Sequence, residues 1–245
     1  MHKRLSPNGI TAVLFDLDGT LRHNLPPYNQ ALLDYAVQLG TADSPERRRG
    51  VLRWVHAYWA QSADMLQDQA TYGGLSEEFW NYYTGLTLLR FGCPETQAQA
   101  LAPPVSQFMQ NQYQPVDHVP AEVWETLTML KDAGFAMGVA SNRSRPYSEQ
   151  MTALGLAPFF QFTLAAGEIS SWKPEPGIFH HALGLLNVQP EQTIYVGDNY
   201  YADIIGAAAA GLRPVLLDPE GLFPEAACPV ISSLGELVGL LSTNA

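Results

Sequence analysis

The sequence predicts a doubly wound α/β domain, with a parallel sheet covered by helices on both faces, that one all-helical module interrupts. A short apolar strand ends at residue 16, and strand and helix patterns alternate from residue 121 onward. Between them, residues 28–113 have apolar residues at helical spacing and no strand-like alternation. The predicted domains are therefore a core of residues 1–21 and 116–245 and a helical domain of residues 22–115.

The first strand is predicted from Ala12 to Asp16, where the consecutive apolar residues indicate burial on both faces of the sheet. It ends in two carboxylates, Asp16 and Asp18, followed by Gly19. Side chains alternate along a strand, so two acids spaced by two residues leave on the same side while the chain stays extended. Gly19 permits a tight turn and the close approach of backbone N–H groups to a ligand.

The helical domain is predicted to contain four helices, and the segments Leu21–Pro27 and Asn111–Pro120 are predicted to connect it as loops. Ser44 and Pro45 have the residue types that favour a helix start. Its many aromatic residues follow helical spacing, which favours core packing over a substrate-binding role. The four predicted helices begin at Asn29, Ser44, Ser76 and Thr96.

After residue 120 the strand and helix patterns alternate regularly. Because all the strands of such a sheet run parallel, its ligand site is expected beyond their carboxyl ends. Strands are predicted at 135–140, 162–166, 193–196, 214–217 and 230–231, and helices at 121–132, 146–154, 176–186, 201–210 and 234–241.

The composition argues against binding of nucleic acid. The chain has 245 residues, 47% of them hydrophobic, and a formal net charge of −11, so its surface repels nucleic-acid phosphates. A small phosphate ester remains compatible with this charge, because a bound divalent cation reverses the local field. Cys93 and Cys228 have no short spacing and are predicted to be free thiols.

No signal peptide or membrane span is expected. The basic N-terminus is not followed by an apolar region before the first strand, and the weakly polar run Ile204–Leu212 is too short to cross a bilayer. We therefore expect a soluble, cytoplasmic protein with no nucleic-acid or membrane partner. Both a monomer and a homodimer agree with the sequence.

Polar side chains follow three further strands at the edge where the ligand site is expected. They are Ser141-Asn142-Arg143, Lys173-Pro174 and Gly197-Asp198 with Asp203. Each of these residues also has an ordinary structural interpretation. Ser141 and Asp203 are residue types that often cap helices, and a lysine such as Lys173 is usually a solvated surface residue. For Arg143 the sequence leaves two alternatives open, a contact with substrate and a position on the surface.

Together these motifs resemble the haloacid dehalogenase superfamily, whose pattern is met here by Phe15-Asp-Leu-Asp-Gly-Thr20, Ser141-Asn142, Lys173-Pro174 and Gly197-Asp198 with Asp203. The four motifs occur in order and at strand ends. The resemblance implies a Rossmann-like core with an inserted helical cap domain. It also implies a phosphatase that acts on a small phosphorylated metabolite.

The resemblance implies a role for each acid. Asp16 would be the nucleophile that becomes an aspartyl phosphate, and Asp18 the acid and base that protonates the leaving alcohol and then activates water. Mg²⁺ would be held by Asp16, the backbone carbonyl of Asp18 and Asp198. Asp203 would join the metal site through water or by orienting a ligand.

The phosphoryl group would be bound by four other residues. The resemblance implies that Ser141 hydrogen-bonds a phosphoryl oxygen and that Lys173 neutralises the charge of phosphate and nucleophile. Gly19 and Asn142 are the other expected phosphate-binding residues.

Three alternatives to a phosphatase stay open. A sugar-phosphate mutase would use the same aspartate pair but return the phosphoryl group to its substrate. A 2-haloacid dehalogenase is disfavoured by Asp18, because a departing halide needs no proton. A non-catalytic binding protein is disfavoured by the complete set of Asp16, Asp18, Lys173 and Asp198.

Overall fold

The computed structural model describes residues 9–242, and the chain divides into two compact units. The boundaries between them fall after His23 and after His118, so the first unit contains chain from both sides of the second. These positions are close to the ends of the helical domain predicted at residues 22 and 115.

The first unit is built on a six-stranded sheet in the order β5-β4-β1-β6-β7-β8. Every described strand pair in it is parallel, as predicted. Its strands are β1 (Ala12–Phe15), β4 (Ala136–Ser141), β5 (Thr163–Ala165), β6 (Thr193–Gly197), β7 (Arg213–Leu217) and β8 (Val230–Ile231).

Strand β1 lies in the interior of this sheet and is buried on both faces. Val13 and Phe15 pack into one hydrophobic cluster, and Ala12 and Leu14 pack into a second. All four residues of the strand are fully buried, which agrees with its consecutive apolar sequence.

The described residues of the same unit form six α-helices. Those at 121–132 and 176–186 have the predicted bounds. The helix predicted at 201–210 instead begins with a π-helical turn, Tyr200–Ile205, before α10. The helices are α6 (Ala121–Asp132), α7 (Ser148–Ala153), α8 (Ala166–Ile169), α9 (Pro176–Leu186), α10 (Gly206–Ala209) and α11 (Glu236–Ser242).

The second unit contains five helices among its described residues, where four were predicted. The additional helix follows the predicted second helix. It is separate because Gln61 takes a left-handed φ of 56° and the Ser62 hydroxyl accepts a hydrogen bond from the Met65 N–H, which starts a new helix at Ala63. The helices are α1 (Tyr28–Gln38), α2 (Pro45–Trp59), α3 (Ala63–Thr71), α4 (Glu77–Arg90) and α5 (Glu95–Asn111).

The helix starts and the aromatic core of this unit follow the prediction. The Ser44 and Ser76 hydroxyls both cap the helices that follow them. Tyr58, Phe79 and Tyr83 are fully or almost fully buried and pack together. Core packing of the aromatic residues is therefore confirmed for these three rings.

Two short strands lie where loops were predicted. They are β2 (His23–Leu25) and β3 (Val116–His118), which pair in a two-stranded sheet. Each has only three residues and none that is buried, so no hydrophobic alternation marks them in the sequence.

Within the described part of the chain, every helix is too short or too polar to pass through a lipid bilayer. Cys93 and Cys228 are free thiols, as predicted.

Helix α9 offers a matched pair of leucines for testing its packing. Leu183 is 4% exposed and lies in the core, whereas Leu185 is 48% exposed. We expect Leu183→Ala to lower the free energy of unfolding by about 2–5 kcal/mol, because it leaves a cavity. Leu185→Ala should change it by less than about 0.5 kcal/mol. Urea denaturation measures both, and equal losses would contradict this packing.

Candidate active site

The pairing register brings the ends of three strands to one edge of the sheet. Phe15 of β1 lies beside Val139 of β4 on one side and Val196 of β6 on the other. The Asp16 N–H continues this pairing by donating to the Val196 carbonyl at 2.9 Å. The chain segments that follow these strands therefore leave the sheet at the same edge, as parallel strands require.

A buried ammonium group joins two of these segments. The Lys173 Nζ lies 2.6 Å from Asp16 Oδ1 and 2.7 Å from Asp203 Oδ1. It also donates to the Tyr195 hydroxyl at 3.0 Å, and that hydroxyl donates to the Ala140 carbonyl at 2.8 Å. Lys173, Asp16 and Asp203 are all buried. The ammonium thus uses all three of its donors inside the protein.

Burial and mutual repulsion change the pKa values of these groups. Burial, opposed by Lys173 and supported by Asp203, raises the pKa of Asp16 to about 7. The pKa of Asp198 is raised well above its ordinary value by burial and then by the charges of Asp16 and Asp203. Burial alone would lower the pKa of Lys173, but the Asp16 and Asp203 carboxylates raise it well above the ordinary value.

The Lys173 backbone is held by Asn142. The Asn142 Oδ1 accepts from the Lys173 N–H at 2.6 Å, and the Asn142 Nδ2 donates to the Lys173 carbonyl at 2.8 Å. This reciprocal pair fixes the loop between α8 and α9 against the segment that follows β4. The Asn142 side chain is therefore engaged in positioning the ammonium.

The π-helical turn holds Asp203 in place. The Asn199 N–H donates to Asp203 Oδ2 at 2.9 Å, while Lys173 occupies the other oxygen. The Asn199 side chain in turn caps the N–H groups of Tyr201 and Ala202. The local departure from α-helical geometry thus occurs around a buried carboxylate whose two oxygens each accept a hydrogen bond.

Gly19 lies directly against Asp198. It has a φ of +93°, and a Cβ atom added to it would meet Asp198 Oδ2 at 2.4 Å. The Thr20 hydroxyl donates to Asp198 Oδ1 at 3.1 Å. A glycine is therefore favoured at position 19 for two reasons. It adopts the positive φ without strain, and it has no side chain to overlap the Asp198 carboxylate.

Three carboxylates converge at this edge. Oxygens of Asp16, Asp198 and Asp203 all lie within 4.8 Å of one another. Lys173 is the ammonium that contacts two of them, so the group keeps an excess of negative charge in a buried place. Hard oxygen ligands with excess negative charge suit a divalent cation such as Mg²⁺.

Asp18 lies in a different environment from Asp16. Its side chain is 38% exposed and is bonded by two arginines. Arg143 donates from Nε to Oδ2 at 2.7 Å and from Nη2 to Oδ1 at 2.8 Å, and Arg22 donates from Nη1 to Oδ1 at 2.7 Å. The two acids of one strand end thus have different partners, an ammonium for the first and two guanidinium groups for the second.

Most of the predicted site residues come together here. Asp16, Lys173 and Asp203 are in direct contact, and Ser141 is buried at the end of β4. The Gly19 N–H donates to the Arg22 carbonyl at 2.8 Å, so this group is engaged within the protein. The phosphate-binding roles of the predicted residues stay predictions.

Three residues of the site were not expected to take part. Tyr195 completes the ammonium's contacts, Arg22 contacts Asp18, and Thr20 contacts Asp198. Tyr195 carries a signal in the sequence, because a tyrosine in a strand buried on both faces needs a hydrogen-bond partner for its hydroxyl. Thr20 carries one as the last residue of the first family motif, and Arg22 carries none. Arg143, which the sequence left open, contacts Asp18.

A family model described as haloacid dehalogenase-like hydrolase matches residues 10–211, which include all of these site residues. The chain belongs to this family. The match covers most of the chain and agrees with the resemblance found in the sequence motifs.

Individual proteins of the family are similar over most of their length. Haloacid dehalogenase-like hydrolase domain-containing protein 3 of Homo sapiens is 30% identical over 88% of this chain and 85% of its own. Ribulose-1,5-bisphosphate 5-phosphatase of Halopiger xanaduensis is 31% identical over 86% and 85%. The crystal structure of 2-haloacid dehalogenase from Pseudomonas syringae superposes with a TM-score of 0.54 and 26% identity, covering 95% of this chain and 98% of that one.

The contact between Gly19 and Asp198 can be tested against a second glycine. Gly134 also has a positive φ, +85°, but a Cβ added there would meet nothing within 4 Å. We expect Gly134→Ala to cost only backbone strain, about 1–3 kcal/mol of unfolding free energy. Gly19→Ala should cost more, because it must also displace Asp198.

Urea denaturation of both variants measures the difference. Equal losses for Gly19→Ala and Gly134→Ala would show that the added methyl group does not displace Asp198.

Proposed function

We propose that the chain is a Mg²⁺-dependent phosphatase that hydrolyses a phosphate monoester of a small metabolite through an aspartyl phosphate. The observation that carries this proposal is the pair of acids after β1. Asp16 is buried against Lys173, while Asp18 is partly exposed and bonded by guanidinium groups. One acid therefore suits attack on phosphorus and the other suits proton transfer.

In this proposal Asp16 attacks phosphorus and forms an acyl phosphate. A carboxylate that approaches an anionic ester is repelled unless positive charge lies close by. The Lys173 ammonium, 2.6 Å from Asp16 Oδ1, provides part of this charge and also fixes the nucleophile's position. The Ser141 hydroxyl is proposed to bind a phosphoryl oxygen from the end of β4.

The residues that would hold Mg²⁺ are Asp16, the backbone carbonyl of Asp18 and Asp198. When bound, the cation neutralises the charge of phosphate and nucleophile together. Asp203 is proposed to orient the site, because both of its oxygens already accept hydrogen bonds, from Lys173 and from the Asn199 N–H.

Asp18 is proposed to carry the proton. In the first step it protonates the departing alkoxide, and in the second it accepts a proton from the water that hydrolyses the aspartyl phosphate. A relative that is named as a phosphatase and is 31% identical over most of the chain supports hydrolysis of a phosphate ester as the reaction. Three further points stay predictions from the sequence: a small phosphorylated metabolite as substrate, a cytoplasmic location, and a monomer or homodimer.

A 2-haloacid dehalogenase is the second candidate, because the 2-haloacid dehalogenase of Pseudomonas syringae is 26% identical in sequence to this chain. Displacement of halide needs no proton donor, and Asp18 would then have no chemical role. A sugar-phosphate mutase would retain the role of Asp18 and differ only in the group that receives the phosphoryl group.

We expect release of phosphate from 4-nitrophenyl phosphate in the presence of Mg²⁺, and its loss in Asp16→Asn, because an amide cannot form the acyl phosphate. Chelation by EDTA should abolish the activity and added Mg²⁺ should restore it. Asp132→Asn, which changes an exposed acid at the end of α6, is the matched control and should keep full activity. Turnover that survives Asp16→Asn would contradict the mechanism.

The dehalogenase candidate has its own test. Incubation with 2-chloropropionate without metal should release no chloride, measured with an ion-selective electrode. Chloride release would favour that candidate over the phosphatase.

A further inference from the structure

We propose that Arg143 is a positioning residue that holds the Asp18 carboxylate for the second step of the reaction, the attack of water on the aspartyl phosphate. This inference rests on the proposed function, because it assumes that Asp18 is the base of that step. Arg143 is not part of the four motifs that carry the family resemblance, and the sequence left its role open. The inference assigns it the role of orienting the Asp18 side chain.

Asp18 needs an external support because of its place in the chain. It lies beyond the last residue of β1, in a tight loop where the Leu17 carbonyl accepts from the N–H groups of Leu21 and Arg22. Its side chain is 38% exposed, unlike the buried Asp16. Neither burial nor the strand therefore fixes the carboxylate.

Arg143 supplies a planar, two-point contact to this carboxylate. Its Nε and Nη2 donate to different oxygens of Asp18 at 2.7 and 2.8 Å. Such a bidentate pair fixes the plane of the carboxylate as well as its distance. Both oxygens of the Asp18 carboxylate therefore accept hydrogen bonds from one rigid guanidinium group, which holds the carboxylate in one orientation.

Arg143 is itself held from two other sides. Its Nη1 donates to the Gln150 side-chain oxygen, and its guanidinium lies 5.2 Å from the centre of the buried Tyr147 ring. Hydrogen bonds with Asp18 raise the pKa of Arg143 above its ordinary value. A guanidinium with partners on several sides loses little freedom when it orients a carboxylate.

The backbone of Arg143 is fixed independently of its side chain. Its carbonyl accepts from the Gly167 N–H at 3.0 Å. A Cβ added to Gly167 would lie 2.1 Å from the Ser144 carbonyl oxygen, so the two segments pack closely. We therefore expect the loop to keep its place when the side chain is truncated.

The two steps of the reaction respond differently to loss of Arg143. In the first, the bond between Asp16 oxygen and phosphorus forms and the ester bond breaks; 4-nitrophenolate is stable as an anion and needs no proton. In the second, the water oxygen bonds to phosphorus, the acyl phosphate bond breaks and Asp18 takes the proton from water. With 4-nitrophenyl phosphate, a misplaced Asp18 should therefore slow only the second step.

The test is Arg143→Ala assayed with 4-nitrophenyl phosphate and Mg²⁺. We expect kcat to fall by about 10²-fold, the usual size of a general-base contribution, while kcat/KM stays within about threefold. KM falls with kcat. Stopped-flow absorbance should show a burst of nitrophenolate, and acid-quenched protein should carry a phosphoryl group detectable by mass spectrometry. Added guanidinium ion should restore part of kcat.

Arg145→Ala is the matched control, because Arg145 is on the same loop and is exposed. It should show wild-type kinetics without a burst. Arg143→Lys keeps the charge but loses the two-point contact, and it should resemble Arg143→Ala more than wild type. It also tests the inference if the alanine variant fails to fold.

Three results would contradict this inference. Equal loss of kcat and kcat/KM without a burst would show that Arg143 contacts substrate, and unchanged kinetics would leave it an ion pair that only joins two loops. If the wild type is active and Asp16→Asn is inactive, either result contradicts the role of Arg143 and leaves the proposed function intact. A wild type without Mg²⁺-dependent turnover contradicts the proposed function as well.

Discussion

The site depends on one buried interaction, the ammonium of Lys173 between the carboxylates of Asp16 and Asp203. Charges buried in this way are costly unless they are paired and fully hydrogen-bonded, and removal of one partner typically costs about 3–5 kcal/mol. Here the ammonium donates to both carboxylates and to the Tyr195 hydroxyl. The same contacts that stabilise it also hold together three chain segments more than twenty residues apart.

Close backbone approach is the second requirement of this arrangement. A Cβ on Gly19 would overlap Asp198, and a Cβ on Gly197 would lie 2.3 Å from the Asp203 Cγ. Gly19 thus leaves room for a carboxylate of another segment, and Gly197 leaves room for one further along its own segment. The density of negative charge that results is high for a buried place, which is why the cluster suits a cation.

The two acids after β1 show how different surroundings give two aspartate side chains different properties. Asp16 is buried and paired with an ammonium, and its pKa is raised to about 7 because burial outweighs the attraction of Lys173. Asp18, two residues later, is partly exposed and faces Arg22 and Arg143. The proposed division between a nucleophile and a proton carrier depends on these different partners.

The sequence by itself determined the parallel α/β core, the bounds of α6 and α9, and the four strand ends that carry the site. These features depend on local periodicity and on the rule that parallel strands place their carboxyl ends at one edge. The tertiary structure alone decided the contacts of Asp18 with Arg143, the engagement of Asn142 with the Lys173 backbone, and the π-helical turn around Asp203. Asp18 and Arg143 are 125 positions apart, and only the register of β1 beside β4 brings them together. Such pairs have no periodic signal in the chain, because they depend on strand register and loop geometry.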